Sequence, residues 1–164
     1  MNKGSDVLAQ ALGTFMEEAG ELLAQMEEIL LRAEECACGE DDLNALFRCA
    51  HTIKGSGGLF GLDEVVRFTH VVENVLDRLR RGEMHFDSEL ISLLLECQDQ
   101  ISHLIAAISE NAEVPVARSD ELLARLQAVL GTAVATTASV PASTAPADAA
   151  PEVTASGGGA LGCD

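Results

Sequence analysis

The sequence predicts an all-α protein, an antiparallel up-and-down four-helix bundle with an additional C-terminal helix, and three observations carry that prediction. Apolar residues recur at alternating four and three steps along successive segments, which stacks them on one face of a helix with about 3.6 residues per turn. Strand-like runs of Val, Ile and Thr bounded by turn signals are scarce, and aromatics make up 3% of the chain with no Trp or Tyr, so the core must be Leu, Ile, Val, Met and Phe. The connections between the periodic segments are short, which makes consecutive helices antiparallel neighbours.

The first helix is expected from Asp6 to about Cys36, capped by Ser5 or Asp6, with Leu8, Leu12, Phe15, Ala19, Leu22, Met26 and Ile29 facing inward. Asp41 and Asp42 open a second helix that buries Leu43, Leu46, Ala50 and Ile53, and the glycines from Gly55 onward end it near Gly58. A third helix starts at Asp63 and turns Val65, Val66, Thr69, Val72, Leu76 and Leu79 inward, with His70 and Glu73 beside that stripe. It closes at Arg80, Arg81 and Gly82, where basic side chains meet the negative end of the helix dipole. Asp87 or Ser88 caps a fourth helix whose Leu90, Leu94, Cys97, Ile101, Leu104 and Ile108 keep the spacing without a break. A shorter fifth helix is expected from about Ser119 to Val134, with Leu122, Leu126 and Val129 inward. Beyond Val134 the chain turns to Ala, Thr, Ser, Pro and Gly, with almost no large apolar residue to offset the entropy of ordering. The expected organisation is therefore one helical domain over residues 1–134 and a flexible linker over 135–164.

Composition narrows the function classes. The chain has 164 residues, 48% of them hydrophobic, enough for one domain with a real core plus a tail. Its net charge of −17, from 27 acidic against 10 basic residues, would repel a phosphate backbone, so nucleic acid is excluded as a partner. Cys36, Cys38, Cys49, Cys97 and Cys163 are odd in number and irregularly spaced, and Met1-Asn2-Lys3-Gly4 leads into no long apolar run, which together point to a reducing cytoplasm. No stretch approaches the roughly 20 apolar residues that span a bilayer, so no membrane insertion is expected. Gly157-x-Gly159-x-x-Gly162 matches a dinucleotide fingerprint, but no strand precedes it and no helix can follow, which leaves it a coincidence of a Gly-rich stretch.

The residues that carry chemistry gather around His51. A histidine acts as a nucleophile when its imidazole is neutral, with one nitrogen bare and exposed and the other holding the proton against a fixed acceptor. A carboxylate on an adjacent helix suits that task, and Glu73 is the candidate. Gly55 and Gly58 fall within roughly 40° of His51 around the helix axis, leaving the histidine sterically uncovered. Each costs about 1 kcal/mol relative to Ala inside a helix, which suggests that close approach by another protein is being permitted. Lys54, one turn on, is placed to steady transferred negative charge. Plainer readings stand beside these. A histidine at the edge of an amphipathic helix is often a hydrogen-bonded boundary residue, as His70 also is, Lys54 is an ordinary solvated lysine, and the glycines mark a helix end. A metal site from His51, His70 and Glu73 is a further alternative, but the chain contains no Glu-x-x-His, and Cys36-x-Cys38 is an isolated pair.

The segment Ala50-His51-Thr52-Ile53-Lys54-Gly55-Ser56-Gly57-Gly58-Leu59-Phe60-Gly61 resembles the phosphoacceptor motif of the histidine phosphotransfer domain found at the N-terminus of bacterial chemotaxis histidine kinases, the CheA family. His70-Val71-Val72-Glu73-Asn74-Val75-Leu76-Asp77 and Arg80-Arg81-Gly82-Glu83-Met84 are similar to that family's third helix and the turn after it, and the likeness extends from about Asp6 to Val134. The H-x-x-K-G pattern alone is shared with phosphotransfer domains of hybrid kinases, whereas the two later motifs resemble the chemotaxis branch. The resemblance implies that His51 is phosphorylated, that Glu73 orients it, and that Lys54 and His70 flank the site. It implies partners as well: a histidine kinase domain that binds ATP and Mg²⁺ and donates the γ-phosphoryl group, and a response-regulator receiver that draws it onto an aspartate. The domain would bind no cofactor or metal of its own. The family's full-length kinases continue into further domains, ATP-binding among them, so the chain is either a fragment of such a kinase or a stand-alone relay. A phosphotransfer protein of another relay, or a docking bundle without phosphate chemistry, are the alternatives.

Overall fold

A computed structural model describes the backbone of residues 2–144 and the side-chain environment of residues 2–131. The described elements are five helices, α1 (Lys3–Glu35), α2 (Glu40–Leu59), α3 (Asp63–Arg80), α4 (Ser88–Ser109) and α5 (Val116–Thr144). The chain divides by packing into Met1–Ala128 and Val129–Asp164. The first unit holds α1 to α4 and the opening turns of α5, and the described part of the second is the rest of α5.

Within the first unit α1 packs against α2 and α4, and α3 packs against the same two, so the four helices close into a ring around one core. Phe15, Met26, Leu30, Leu46, Ile53, Phe68, Leu76, Leu94, Ile101 and Leu104 are buried inside it. The stripe on α1 is real from Phe15 onward, but Leu8 is 59% exposed. The cause is length: α1 has 33 residues against 18 to 22 in its neighbours, so its first turns have nothing to pack on.

Helix ends follow local chemistry. Three acidic side chains, Glu40, Asp41 and Asp42, sit in the first turn of α2 against the positive end of its dipole. Gly61, at φ +68°, turns the chain from α2 into α3, and Gly82, at φ +75°, turns it out of α3. The Asp87 carboxylate caps α4, accepting from the Leu90 backbone N–H at 2.9 Å.

The fifth helix departs from expectation at both ends. It starts at Val116, directly after Pro115, and Ser119 lies within it, buried and accepting from Gln100 Nε2 of α4 at 2.9 Å. Its opening turns are held to α4 by Arg118 and Arg125 on Glu96, and to α3 by Asp120 on Arg67, with Leu122 and Leu126 buried between. The helix assignment then runs past Val134 to Thr144. Of the stretch expected as a linker, residues 145–164 lie outside the described residues. No helix among the described residues is long and apolar enough to cross a membrane.

Cys97 in the centre of α4 behaves as an apolar residue, since burial pushes its thiol up to about 12. Beside it Leu94 is 1% exposed. Leu94→Ala should cost roughly 2–5 kcal/mol through lost burial and the cavity left behind, measured by denaturant unfolding. A loss under about 1 kcal/mol would show that the four helices do not share a close-packed core.

Candidate functional site

The site forms where α2 and α3 come close. Gly57 of α2 is buried, and a Cβ there would stand 3.4 Å from Val65 Cγ1 of α3, in van der Waals contact with it. The two helices run antiparallel, so His51, six residues before Gly57 on α2, comes opposite Glu73, eight residues after Val65 on α3. The close contact at one end thereby sets which residues face each other at the other.

His51 and Glu73 meet as that register dictates, with His51 Nδ1 2.6 Å from Glu73 Oε2. Lys54, one turn further along α2, donates from Nζ to Glu73 Oε1 at 2.8 Å. Both carboxylate oxygens are thus engaged. The Glu73 side chain is only 11% exposed, whereas that of His51 is 62% exposed. Burial pushes the Glu73 carboxyl up, but the hydrogen bonds from Lys54 and His51, with their charges, outweigh it and hold the group below its ordinary range. An ionised carboxylate can only accept, so a neutral His51 carries its proton on Nδ1 and keeps a bare lone pair on Nε2.

The surroundings of the ring are asymmetric. Phe47, one turn earlier on α2, stacks on it with ring centroids 5.8 Å apart and planes 13° from parallel. One turn later, a Cβ built on Gly55 would meet nothing within 4 Å. Gly55 lies inside α2 and not at its end, so the reading of this glycine as a helix terminus fails. Gly58 is exposed, with only Val66 Cγ2 near its position, at 3.9 Å.

The structure joins His51, Glu73 and Lys54 by hydrogen bonds, and His70, three residues before Glu73 on α3, takes no part in them among the described residues. His70 is exposed on α3, and no hydrogen bond, ion pair or ring contact to the other three is present among the described residues. The Lys54 ammonium is held on Glu73 and not turned outward to solvent. Phe47 and Arg80, whose guanidinium carbon lies 3.8 Å from the Phe47 ring centroid, were missed by sequence reasoning. Phe47 falls four residues before His51, the spacing at which helical side chains meet, and that signal was there to be read. Among the described residues no three His, Cys, Asp or Glu side chains gather to hold a metal ion.

Fold and site together define a class, a helical bundle displaying one exposed histidine whose far nitrogen is held by a carboxylate on the next helix. Residues 10–129 match the family model of the Hpt domain, and the chain belongs to that family. It is 44% identical over 110 residues to the chemotaxis protein CheA of Salmonella typhimurium, a match covering 67% of this chain and 16% of the relative. It is 36% identical over 115 residues to the chemotaxis protein CheA of Rhizobium meliloti, covering 70% of this chain and 15% of the relative. The chain thus spans about one-sixth of the length of the curated relatives it matches. Its fold is that of the phosphorylated P1 domain of CheA3 from R. sphaeroides, solved in complex with CheY6, with a TM-score of 0.70 at 22% identity over 76% of this chain and 98% of that one.

Proposed function

We propose that this Hpt domain, within residues 1–134, is a phosphorelay module of a chemotaxis two-component system, with His51 as its phosphoacceptor. The single observation that carries the reading is the contact of His51 Nδ1 with the buried Glu73 carboxylate at 2.6 Å. Nε2 attacks the γ-phosphorus of ATP held with Mg²⁺ by a histidine kinase catalytic domain. The N–P bond forms as the bond to ADP breaks, and ADP departs. The ring gains positive charge in that step, and the proton on Nδ1 shares it with Glu73, which stabilises the transition state more than the ground state. An aspartate of a response-regulator receiver then takes the phosphoryl group, and the lone pair returns to Nε2. Lys54 keeps the second oxygen of Glu73 occupied and its carboxylate in place. Alignment and charge are what such a transfer needs, and the ATP and metal come with the partners. The absence of a membrane-spanning helix among the described residues suits a site of action in the cytoplasm.

The test is to incubate the domain with the catalytic core of a related chemotaxis kinase and labelled ATP. The expected product is a label that is labile in acid, stable in alkali, and removed by a receiver domain with Mg²⁺. Acid-stable label, or none, would overturn the reading.

A further inference from the structure

A single hydrogen bond fixes one edge of an imidazole but leaves the ring free to swivel about that bond, and a swivelling Nε2 is poorly aimed for in-line attack. The structure holds the ring a second way. Phe47 lies against it nearly parallel, at 13° and 5.8 Å between centroids. Phe47 is itself covered by Arg80 of α3, whose guanidinium carbon lies 3.8 Å from the ring centroid. Arg80 in turn is tied through Nε to Asp77 Oδ1 at 2.9 Å, one turn back on the same helix. α3 therefore reaches His51 twice, at the Nδ1 edge through Glu73 and at the ring face through Arg80 and Phe47.

We infer that Phe47, braced by Arg80, is a positioning residue for His51, confining the imidazole to the plane in which Nε2 points outward. The assignment rests on the proposal that His51 is the phosphoacceptor. It explains an otherwise odd expenditure, an aromatic side chain left half-buried beside a polar ring and roofed by a cation. It also fits the contrast along α2, with a stacked aromatic one turn before the histidine and empty space at Gly55 one turn after.

The experiment compares wild type with Phe47→Ala, Phe47→Tyr and Arg80→Gln in the full chain. It reads phosphorylation rate by a related kinase core and, independently, the ¹⁵N and ¹H signals of the His51 ring without any kinase. Phe47→Ala should slow phosphorylation about tenfold and, with the tautomer still held by Glu73, move the ring signals toward those of a more mobile ring. Phe47→Tyr, which keeps the stacking face, should restore both readouts most of the way. Arg80→Gln, at an exposed position that cannot unfold the bundle, should slow the rate about two- to threefold and shift the same signals, and it decides the matter if Phe47→Ala fails to fold. Ring signals unchanged in Arg80→Gln and in every folded Phe47 variant, at wild-type rate, would overturn the inference. The two ideas fail separately: label that persists in His51→Gln sinks the phosphoacceptor, while a silent Phe47→Ala with His51 still labelled sinks only the positioning role.

Discussion

His51→Gln should reduce phosphoryl label to background while leaving the helical bundle intact. The two halves of that result have separate causes. Glutamine offers an amide that can still donate toward Glu73 but has no basic nitrogen to form an N–P bond, so the chemistry stops outright. The side chain of His51 is 62% exposed, and Lys54 continues to hold Glu73 Oε1, so the stability cost should be about 1 kcal/mol or less. The check is a labelling assay paired with a thermal melt. Residual label above a few per cent would mean another acceptor, and a large melting-temperature loss would make His51 a core histidine, the plainer alternative its sequence position allows.

Glu73→Ala should slow phosphorylation about 10- to 100-fold, the usual cost of removing the partner that fixes a histidine's tautomer. Nδ1 then loses its acceptor, both tautomers populate, and nothing shares the charge that develops on the ring. Glu73→Gln is the more pointed variant. Lys54 Nζ needs an acceptor, so the amide oxygen turns toward it and the amide NH₂ faces His51 Nδ1, which favours the tautomer with the proton on Nε2. That places the hydrogen on the nitrogen that must attack, and Glu73→Gln should therefore recover little of the rate despite its shape. An unchanged rate in both would remove Glu73 from the mechanism. The carboxyl also gives a pH dependence with a definite sign. Its folded value is held below the ordinary 4.5, so its contribution to stability is fully present above that value and is lost as pH falls through the lower folded one. The stability difference between wild type and Glu73→Ala should shrink as the pH is lowered from neutral to below the ordinary 4.5.

Much of the architecture was legible because the four-three repeat reports burial directly. Phe15, Met26, Leu46, Ile53, Leu76, Leu94 and Ile101 are inside as their spacing requires. The repeat cannot say what stands opposite it. Leu8 continues the α1 stripe yet points into solvent, because the partner helices have ended. The start expected near Ser119 came late for a related reason: the Ser119 hydroxyl satisfies the buried amide of Gln100 inside the helix, a role that only the packing reveals. At the site, His51 and Glu73 could be paired from residue types and helix count, and the register between α2 and α3 then put them together. The role of Lys54 as a partner of Glu73 was not legible, since a lysine four carbons long reaches many places from one backbone position. Phe47 and Arg80 escaped because each looks ordinary alone, and their relation spans two helices.

The histidine and its acid sit on different helices, so reactivity here is a tertiary property and not a local one. A nascent or denatured copy carries the same imidazole with either nitrogen free to hold the hydrogen and no anion to receive the developing charge. If His51 is the acceptor proposed above, such a chain would be a poor substrate for any donor, and phosphate would go only to molecules that have finished folding.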